Sequence, residues 1–317
     1  MAEELEVKEL DQVVVRFSGD SGDGMQLAGN IFSTVSATVG NSISTFPDFP
    51  ADIRAPQGSL TGVSGFQVHI GANQVFTPGD ECDVLIAMNA AALKTQYKYA
   101  KSDATIIIDT DSFGPRDLEK AAFTSEDYLG EMNIDADRVI ACPITTMVKD
   151  TLADTGMDNK SMLKCRNMFA LGLVCWLFDR DLDLVANYLR DKFAKKPAIA
   201  EANIKVIQAG YDYGHNTHSS ATNVRRIETK VKTPGRYMDI TGNKATAYGF
   251  IAAAEKAGLK LYLGSYPITP ATDVLHELSK HKSLGVTTVQ CEDEIAGCAS
   301  AVGASFAGAL AVTSTSG

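Results

Sequence analysis

The chain has 317 residues, enough for about two domains that each bury a core. A hydrophobic content of 45% with 21% charged residues excludes a disordered chain and fits an ordinary globular protein. The 39 acidic residues outweigh 29 basic ones for a formal net charge of -10, which argues against a nucleic-acid binder, whose footprint would be basic. The opening residues 1–11 are acidic and lack an apolar run, so no secretory signal is read there. The longest apolar stretch, 169–178, falls short of the roughly 20 residues a membrane span needs and reads as a buried helix. Six scattered cysteines without a CxxC pair read as reduced thiols of a cytoplasmic protein and offer no zinc or iron–sulfur ligand set.

Along the first two thirds, strand-like and helix-like segments alternate, which predicts an α/β layer fold. A β-branched run at 13–17 predicts a strand buried on both faces. The Gly-rich turn Ser18-Gly19-Asp20-Ser21-Gly22-Asp23-Gly24 follows, then an amphipathic helix over 25–39. Further strands are expected at 66–70, 84–87, 105–108 and 138–141, with helices at 90–99, 145–152, 162–178, 182–193 and 198–213. Between Pro47 and Gly65 the pattern predicts a long loop with three prolines and three glycines, and loops of that length are often functional.

A strand, a Gly-rich turn and a helix start can together cradle a phosphate, because glycines admit close backbone approach and the helix N-terminus presents free N–H groups. Ser18, Gly19, Gly22 and Gly24 are the candidates. The glycine order is not GxGxxG, so a nicotinamide dehydrogenase is disfavoured, the more so without a catalytic His or Tyr-Lys pair. Asp20 and Asp23 would repel a pyrophosphate unless other donors offset them. The metal–diphosphate motif of thiamine enzymes is excluded here, since Asn30 and Asn41 follow Gly24 too early. A tight strand–helix turn capped by Asp or Ser accounts for the same residues equally well. Arg54, on a Pro/Gly loop, suits bidentate anion binding or an ion pair with Asp48 or Asp52.

From 215 to 243 periodicity fades, and Arg225, Arg226, Lys230, Lys232 and Arg236 make the stretch locally basic; it reads as a linker. A second α/β unit is expected from 244, with helices at 244–257, 272–281 and 294–307 and strands at 259–263, 286–290 and 309–313. Within it, Tyr266-Pro267-Ile268-Thr269-Pro270 forms a stiff proline-bracketed turn able to fix a hydroxyl. Glu292-Asp293-Glu294 places carboxylates at the mouth of the next helix, where Glu294 can handle a proton or simply complement the helix dipole. The five histidines lack metal-ligand spacing: His276 and His281 are five apart, not i, i+4.

These two segments resemble the α subunits of 2-oxoacid:ferredoxin oxidoreductases, in their YPITP loop and in the helix that carries a cofactor-activating glutamate. Residues 313–317 match the start of the family's TSGPG-type loop, and SGDSGDGMQLAG with FPDFPADIRAPQGSLTGVSGFQVHIG resembles its γ domain. A γ domain ahead of an α domain is typical of the 2-oxoglutarate branch. The resemblance therefore implies a Rossmann-like γ-type domain over 1–214, a linker over 215–243, and the beginning of a pyrimidine-type thiamine diphosphate domain over 244–317. It implies CoA-dependent oxidative decarboxylation of 2-oxoglutarate to succinyl-CoA with electrons passed to ferredoxin. Pyruvate or a branched-chain 2-oxoacid is an alternative substrate, and a non-catalytic CoA- or nucleotide-binding assembly module an alternative role.

By the same resemblance Glu294 activates the thiamine, with Glu292 its competitor, and Thr269 holds the substrate carboxylate. Tyr266 is expected at the substrate and Pro267, Ile268 and Thr269 at the cofactor, with Tyr266 and Ile268 either walling the pocket or only packing, while the Ser18 to Gly24 loop and Arg54 contact coenzyme A. Mg²⁺, the diphosphate and a [4Fe-4S] cluster are expected on a partner β subunit of a hetero-oligomer. Family α subunits continue well beyond 317 residues, so the pyrimidine-type domain is expected to be incomplete and the chain inactive alone.

Overall fold

A computed structural model describes residues 7–50, 55–218, 224–228 and 235–316. The chain forms two compact units, Met1–Pro234 and Gly235–Gly317. No helix among the described residues is long and apolar enough to cross a membrane.

The first unit is built on a six-stranded mixed sheet. Its strands, in chain order, follow a short β1 (Val7–Leu10): β2 (Gln12–Asp20), β3 (Ser42–Asp48), β4 (Val63–Gly71), β5 (Cys82–Ala87), β6 (Ala100–Asp109) and β7 (Val139–Cys142). The spatial order is β3-β4-β2-β5-β6-β7, with β2, β5, β6 and β7 parallel and β4 antiparallel to both β2 and β3. Successive residues of a strand face opposite sides, so the central runs 13–15, 84–87 and 106–108, buried on both faces, are apolar throughout. Val13, Val15 and Phe17, with Val84, Ile86 and Ile107, face one core, while Val14, Leu85, Ala87, Ile106 and Ile108 face another. Helices on both faces therefore cover the sheet. The larger core holds helix Arg166–Leu177, buried at every position from Asn167 to Leu177.

Several elements differ from the sequence pattern for identifiable reasons. The expected loop after Pro47 begins only beyond β3, an edge strand whose Phe-Pro-Asp composition hides its pairing with β4. The single helix expected over 162–178 is two, Asn159–Leu163 and Arg166–Leu177, broken at Lys164 and Cys165. The stretch read as a linker carries regular structure among its described residues. Helix Pro197–His218 runs into it, and β8 (Val224–Ile227) pairs in parallel with β1, burying Val224 and Ile227.

The second unit carries β9 (Leu261–Ser265), β10 (Val286–Gln290) and β11 (Leu310–Val312) in a parallel sheet of order β10-β9-β11. Helices Gly242–Ala257, Thr272–Leu278 and Glu294–Phe306 accompany it. Its small core is Ala247, Ala254, Leu261, Leu263, Val274, Leu275, Leu278 and Val286. Gly258, with φ of 67°, ends the first helix in the left-handed conformation that glycine adopts without a Cβ penalty.

Candidate functional site

Because β9, β10 and β11 run parallel, the loops that leave their C-terminal ends gather on one edge of the sheet, the edge that open α/β sheets use for ligands. The loop after β9 carries Tyr266, the turn after β10 leads into helix Glu294–Phe306, and β11 leads to residues 313–316. Asp293 caps that helix, its Oδ1 accepting from the Ala296 amide at 2.8 Å, so the first helical residue is Glu294. Cys291 N donates to Ser265 O at 2.7 Å and ties the turn to the end of β9.

Tyr266 and Glu294 line the same hollow, of ≈ 680 Å³, together with Ile295, Cys298, Ala299, Val302, Thr313 and Thr315. Ile295, Ala299 and Val302 recur at helical spacing, so one face of the helix forms an apolar wall. That face is largely open: Ile295 is 75% and Val302 66% exposed, and Phe306 further along is 96% exposed. Tyr266 is buried, whereas the Glu294 carboxylate is exposed and makes no hydrogen bond or ion pair among the described residues. Glu292 is also exposed but does not line the hollow.

The rest of the proline-bracketed turn lies outside that lining. Pro267 and Thr269 are exposed and Ile268 half-buried. Thr272, rather than Thr269, braces the turn: its Oγ1 accepts from Ile268 N at 2.7 Å and donates to Ile268 O at 2.9 Å. The Thr269 hydroxyl is thus left without a protein partner among the described residues, while its carbonyl accepts from Ser316 Oγ.

In the first unit the Gly-rich turn divides in two. Ser18 and Gly19 belong to β2: the Ser18 hydroxyl is buried and donates to Ile86 O at 2.5 Å, and a Cβ on Gly19 would lie 3.0 Å from Asp23 Oδ2. Gly24 takes φ of 73° beneath Asn167, whose Nδ2 donates to its carbonyl at 3.0 Å. These three are structural in their surroundings. Gly22 instead lines a second hollow, of ≈ 250 Å³, with Asp20, Ser21, Ala55, Pro56, Gln57 and Gly62. Arg54 lies outside the described residues.

The turn's own amides are largely spent on protein acceptors. Ser21 N donates to Gly62 O, Asp23 N to Asp20 O, and Asp20 N to Asp23 Oδ2. Asp20 accepts from Gly58 N at 2.9 Å through Oδ2, while its buried Oδ1 has no partner among the described residues. The hollow thus presents the Asp20 carboxylate as an acceptor, beside the Ser21 hydroxyl and the Gln57 side-chain amide, which can donate.

Arg166, not singled out in the sequence, anchors the turn from 143 residues away. Its Nη2 lies 2.6 Å from Asp23 Oδ1 and its Nη1 3.3 Å from Thr145 Oγ1. Asp109, fully buried at the end of β6, accepts from the Thr145 hydroxyl at 2.7 Å. Burial pushes the carboxyls of both Asp23 and Asp109 above the usual range, outweighing the lowering influence of Arg166. Among the described residues no three His, Cys, Asp or Glu side chains gather in a metal-binding arrangement.

Residues 14–213 match the family model for pyruvate ferredoxin/flavodoxin oxidoreductase, and residues 252–317 match that for the thiamine diphosphate-binding part of pyruvate flavodoxin/ferredoxin oxidoreductase. Over 309 residues the chain is 46% identical to 2-oxoglutarate oxidoreductase subunit KorA of Mycobacterium tuberculosis, covering 97% of this chain and 47% of that protein. It is 42% identical over 79 residues to 2-oxoglutarate synthase subunit KorA of Archaeoglobus fulgidus, 25% of this chain and 21% of that one. The chain thus spans at most about half the length of these curated relatives. Its fold is similar to that of 2-oxoglutarate:ferredoxin oxidoreductase from Magnetococcus marinus, solved with 2-oxoglutarate, coenzyme A and succinyl-CoA bound. The TM-score is 0.70 at 26% identity, over 96% of this chain and 47% of that one. With 14–213 matched by the first model and 252–317 by the second, the chain belongs to the pyruvate ferredoxin/flavodoxin oxidoreductase family.

Proposed function

We propose that this chain forms the cofactor-activating part of a thiamine diphosphate-dependent 2-oxoglutarate:ferredoxin oxidoreductase. In that reaction 2-oxoglutarate and coenzyme A give succinyl-CoA and carbon dioxide while electrons leave to ferredoxin. One observation carries the reading: three parallel strands bring Tyr266 and the unpartnered Glu294 carboxylate to a single apolar hollow. A flat heteroaromatic ring fits such a lining, with apolar walls from Tyr266, Ile295, Ala299 and Val302 and one carboxylate for a ring nitrogen. Thiamine diphosphate, when bound, supplies the carbanion chemistry.

Within this reading Glu294 hydrogen-bonds the ring nitrogen of the aminopyrimidine and holds a proton there, which fixes the tautomer needed for proton removal. Thr269 offers its free hydroxyl to the carboxylate of the 2-oxoacid. The hollow beside Asp20, Ser21 and Gly22 contacts coenzyme A, with Asp20 accepting from one of its amide, amine or hydroxyl groups. Functionally the chain divides into a γ-type domain over 1–214, a connecting stretch over 215–243 and a pyrimidine-type domain over 244–317. A partner β subunit holds Mg²⁺, the diphosphate and the [4Fe-4S] cluster and meets ferredoxin, so the working enzyme is a hetero-oligomer and this chain alone is inactive. A cytoplasmic setting accords with six free cysteines.

The test is Glu294→Gln in the full-length protein assembled with its partner. Reduction of ferredoxin by 2-oxoglutarate and CoA is expected to fall by about 100-fold or more, the scale of a positioned acid–base group, while Glu292→Gln keeps most of it. Unchanged turnover in Glu294→Gln favours the non-catalytic assembly role instead.

A further inference from the structure

The backbone ladder between β9 and β11 pairs Leu261 with Leu310 and ends at Leu263 with Val312. Beyond it the pairing of these two strands stops, β9 continuing to Ser265 beside β10, yet the side chains keep the same register. Ser265 Oγ lies 2.8 Å from Ser314 Oγ and donates to Ser314 O at 3.0 Å. Tyr266 OH lies 2.6 Å from Thr315 Oγ1, and both pairs preserve the offset of 49 residues set by the ladder. A third contact, Ser316 Oγ to Thr269 O at 3.0 Å, closes the far end of the turn. Hydroxyls have taken over where backbone hydrogen bonds stop.

Tyr266 gives this arrangement its consequence. The residue is 7% exposed and lines the hollow shared with Glu294, and a buried phenol needs a partner for its hydroxyl. Thr315 supplies that partner and lines the same hollow. We propose that Thr315 is a positioning residue: through the Tyr266 hydroxyl it fixes the aromatic wall of the cofactor hollow, and the flanking serines hold the two loops at the spacing this requires. The inference rests on the hollow being the thiamine site, and it adds a residue that acts through Tyr266.

The test is a double-mutant cycle in the full-length protein assembled with its partner, read as kcat and as KM for 2-oxoglutarate and thiamine diphosphate. Tyr266→Phe and Thr315→Val each remove one end of one hydrogen bond, so each is expected to lower kcat/KM by about three- to tenfold. The double variant is expected to be no worse than the poorer single variant, since the two share one interaction. Thr315→Ser, which keeps a hydroxyl, is expected to restore activity. Multiplying losses in the double variant, a Thr315→Ser as impaired as Thr315→Val, or a silent Thr315→Val beside a damaged Tyr266→Phe would each overturn the inference. If Thr315→Val does not fold, Tyr266→Phe and Thr315→Ser decide it: loss in the first with retention in the second supports the inference, and equal loss in both contradicts it. Glu294→Gln run alongside separates the two levels: loss there with a silent Thr315→Val refutes the positioning role alone, whereas unchanged turnover in Glu294→Gln refutes the site itself.

Discussion

Arg166→Met removes the cation that holds the Gly-rich turn to the end of β6, and the cost follows from what each carboxylate keeps. The Arg166 guanidinium lies 2.6 Å from Asp23 and 3.7 Å from Asp109, whose side chains are 6% and 0% exposed. Asp109 retains its bonds from the Thr145 hydroxyl and from the amides of Thr145 and Asp111, so it loses little. Asp23 retains the Asp20 amide at 3.0 Å and is otherwise left as a buried charge. Breaking a buried pair costs roughly 3–5 kcal/mol, and with Arg166 itself 20% exposed the loss belongs near 3 kcal/mol. In urea, with a slope of about 3 kcal/mol/M for a unit of this size, the midpoint is expected to fall by about 1 M.

The pH dependence has a definite sign. Burial raises both carboxyls in the folded state, so the penalty of their charge is full above the raised values and is relieved as pH falls through them toward the unfolded value of 3.8. The gap between Arg166→Met and the parent is therefore expected to narrow on acidification, and Asp23→Asn in the same background to recover much of the loss at neutral pH. A loss below about 1 kcal/mol, a gap that widens in acid, or no recovery with Asp23→Asn would refute this account of the turn.

Gly172→Ala is expected to destabilise the first unit by about 2 kcal/mol in thermal melts, because overpacking outweighs a gain of about 1 kcal/mol in helix propensity. An added Cβ would sit 2.1 Å from Ile207 O where Arg166–Leu177 crosses Pro197–His218. Gly249→Ala is the control: its Cβ meets nothing within 4 Å, and the gain of up to about 1 kcal/mol should appear undiminished. Glu277, held by Lys280 at 2.7 Å and then by His281, has its carboxyl lowered to about 2. Its contribution is full above the unfolded value of 4.5 and lost as pH falls through about 2, so Lys280→Met is expected to move the Glu277 midpoint upward in an NMR titration. An unmoved midpoint would contradict the ion pair.

Local chemistry was readable where it decides the structure. The strand Val286–Gln290 and the start of the helix at Glu294 were expected where they occur, because a β-branched run followed by Asp293 as cap leaves few alternatives. Pairings across long sequence separations were not readable. β1 finds β8 more than two hundred residues later, and Arg166 reaches Asp23, with no local periodicity to announce either. The hydroxyl-rich run 314–316 read as loop, since its role depends on the register between β9 and β11. In the Gly-rich turn the composition suggested an anion cradle; the fold spends Ser18, Gly19 and Gly24 on packing and leaves acceptors facing the hollow.

If Glu294 handles a proton on a bound thiamine ring, proton exchange at the reacting C2 carbon of the cofactor depends on its carboxylate. In the full-length protein assembled with its partner, deuterium exchange at C2 can be followed by quench and NMR for the parent and for Glu294→Gln, with cofactor occupancy checked in both. A fall of about 100-fold or more in the exchange rate of Glu294→Gln, at undiminished occupancy, is expected. Equal exchange rates in the two proteins would contradict it.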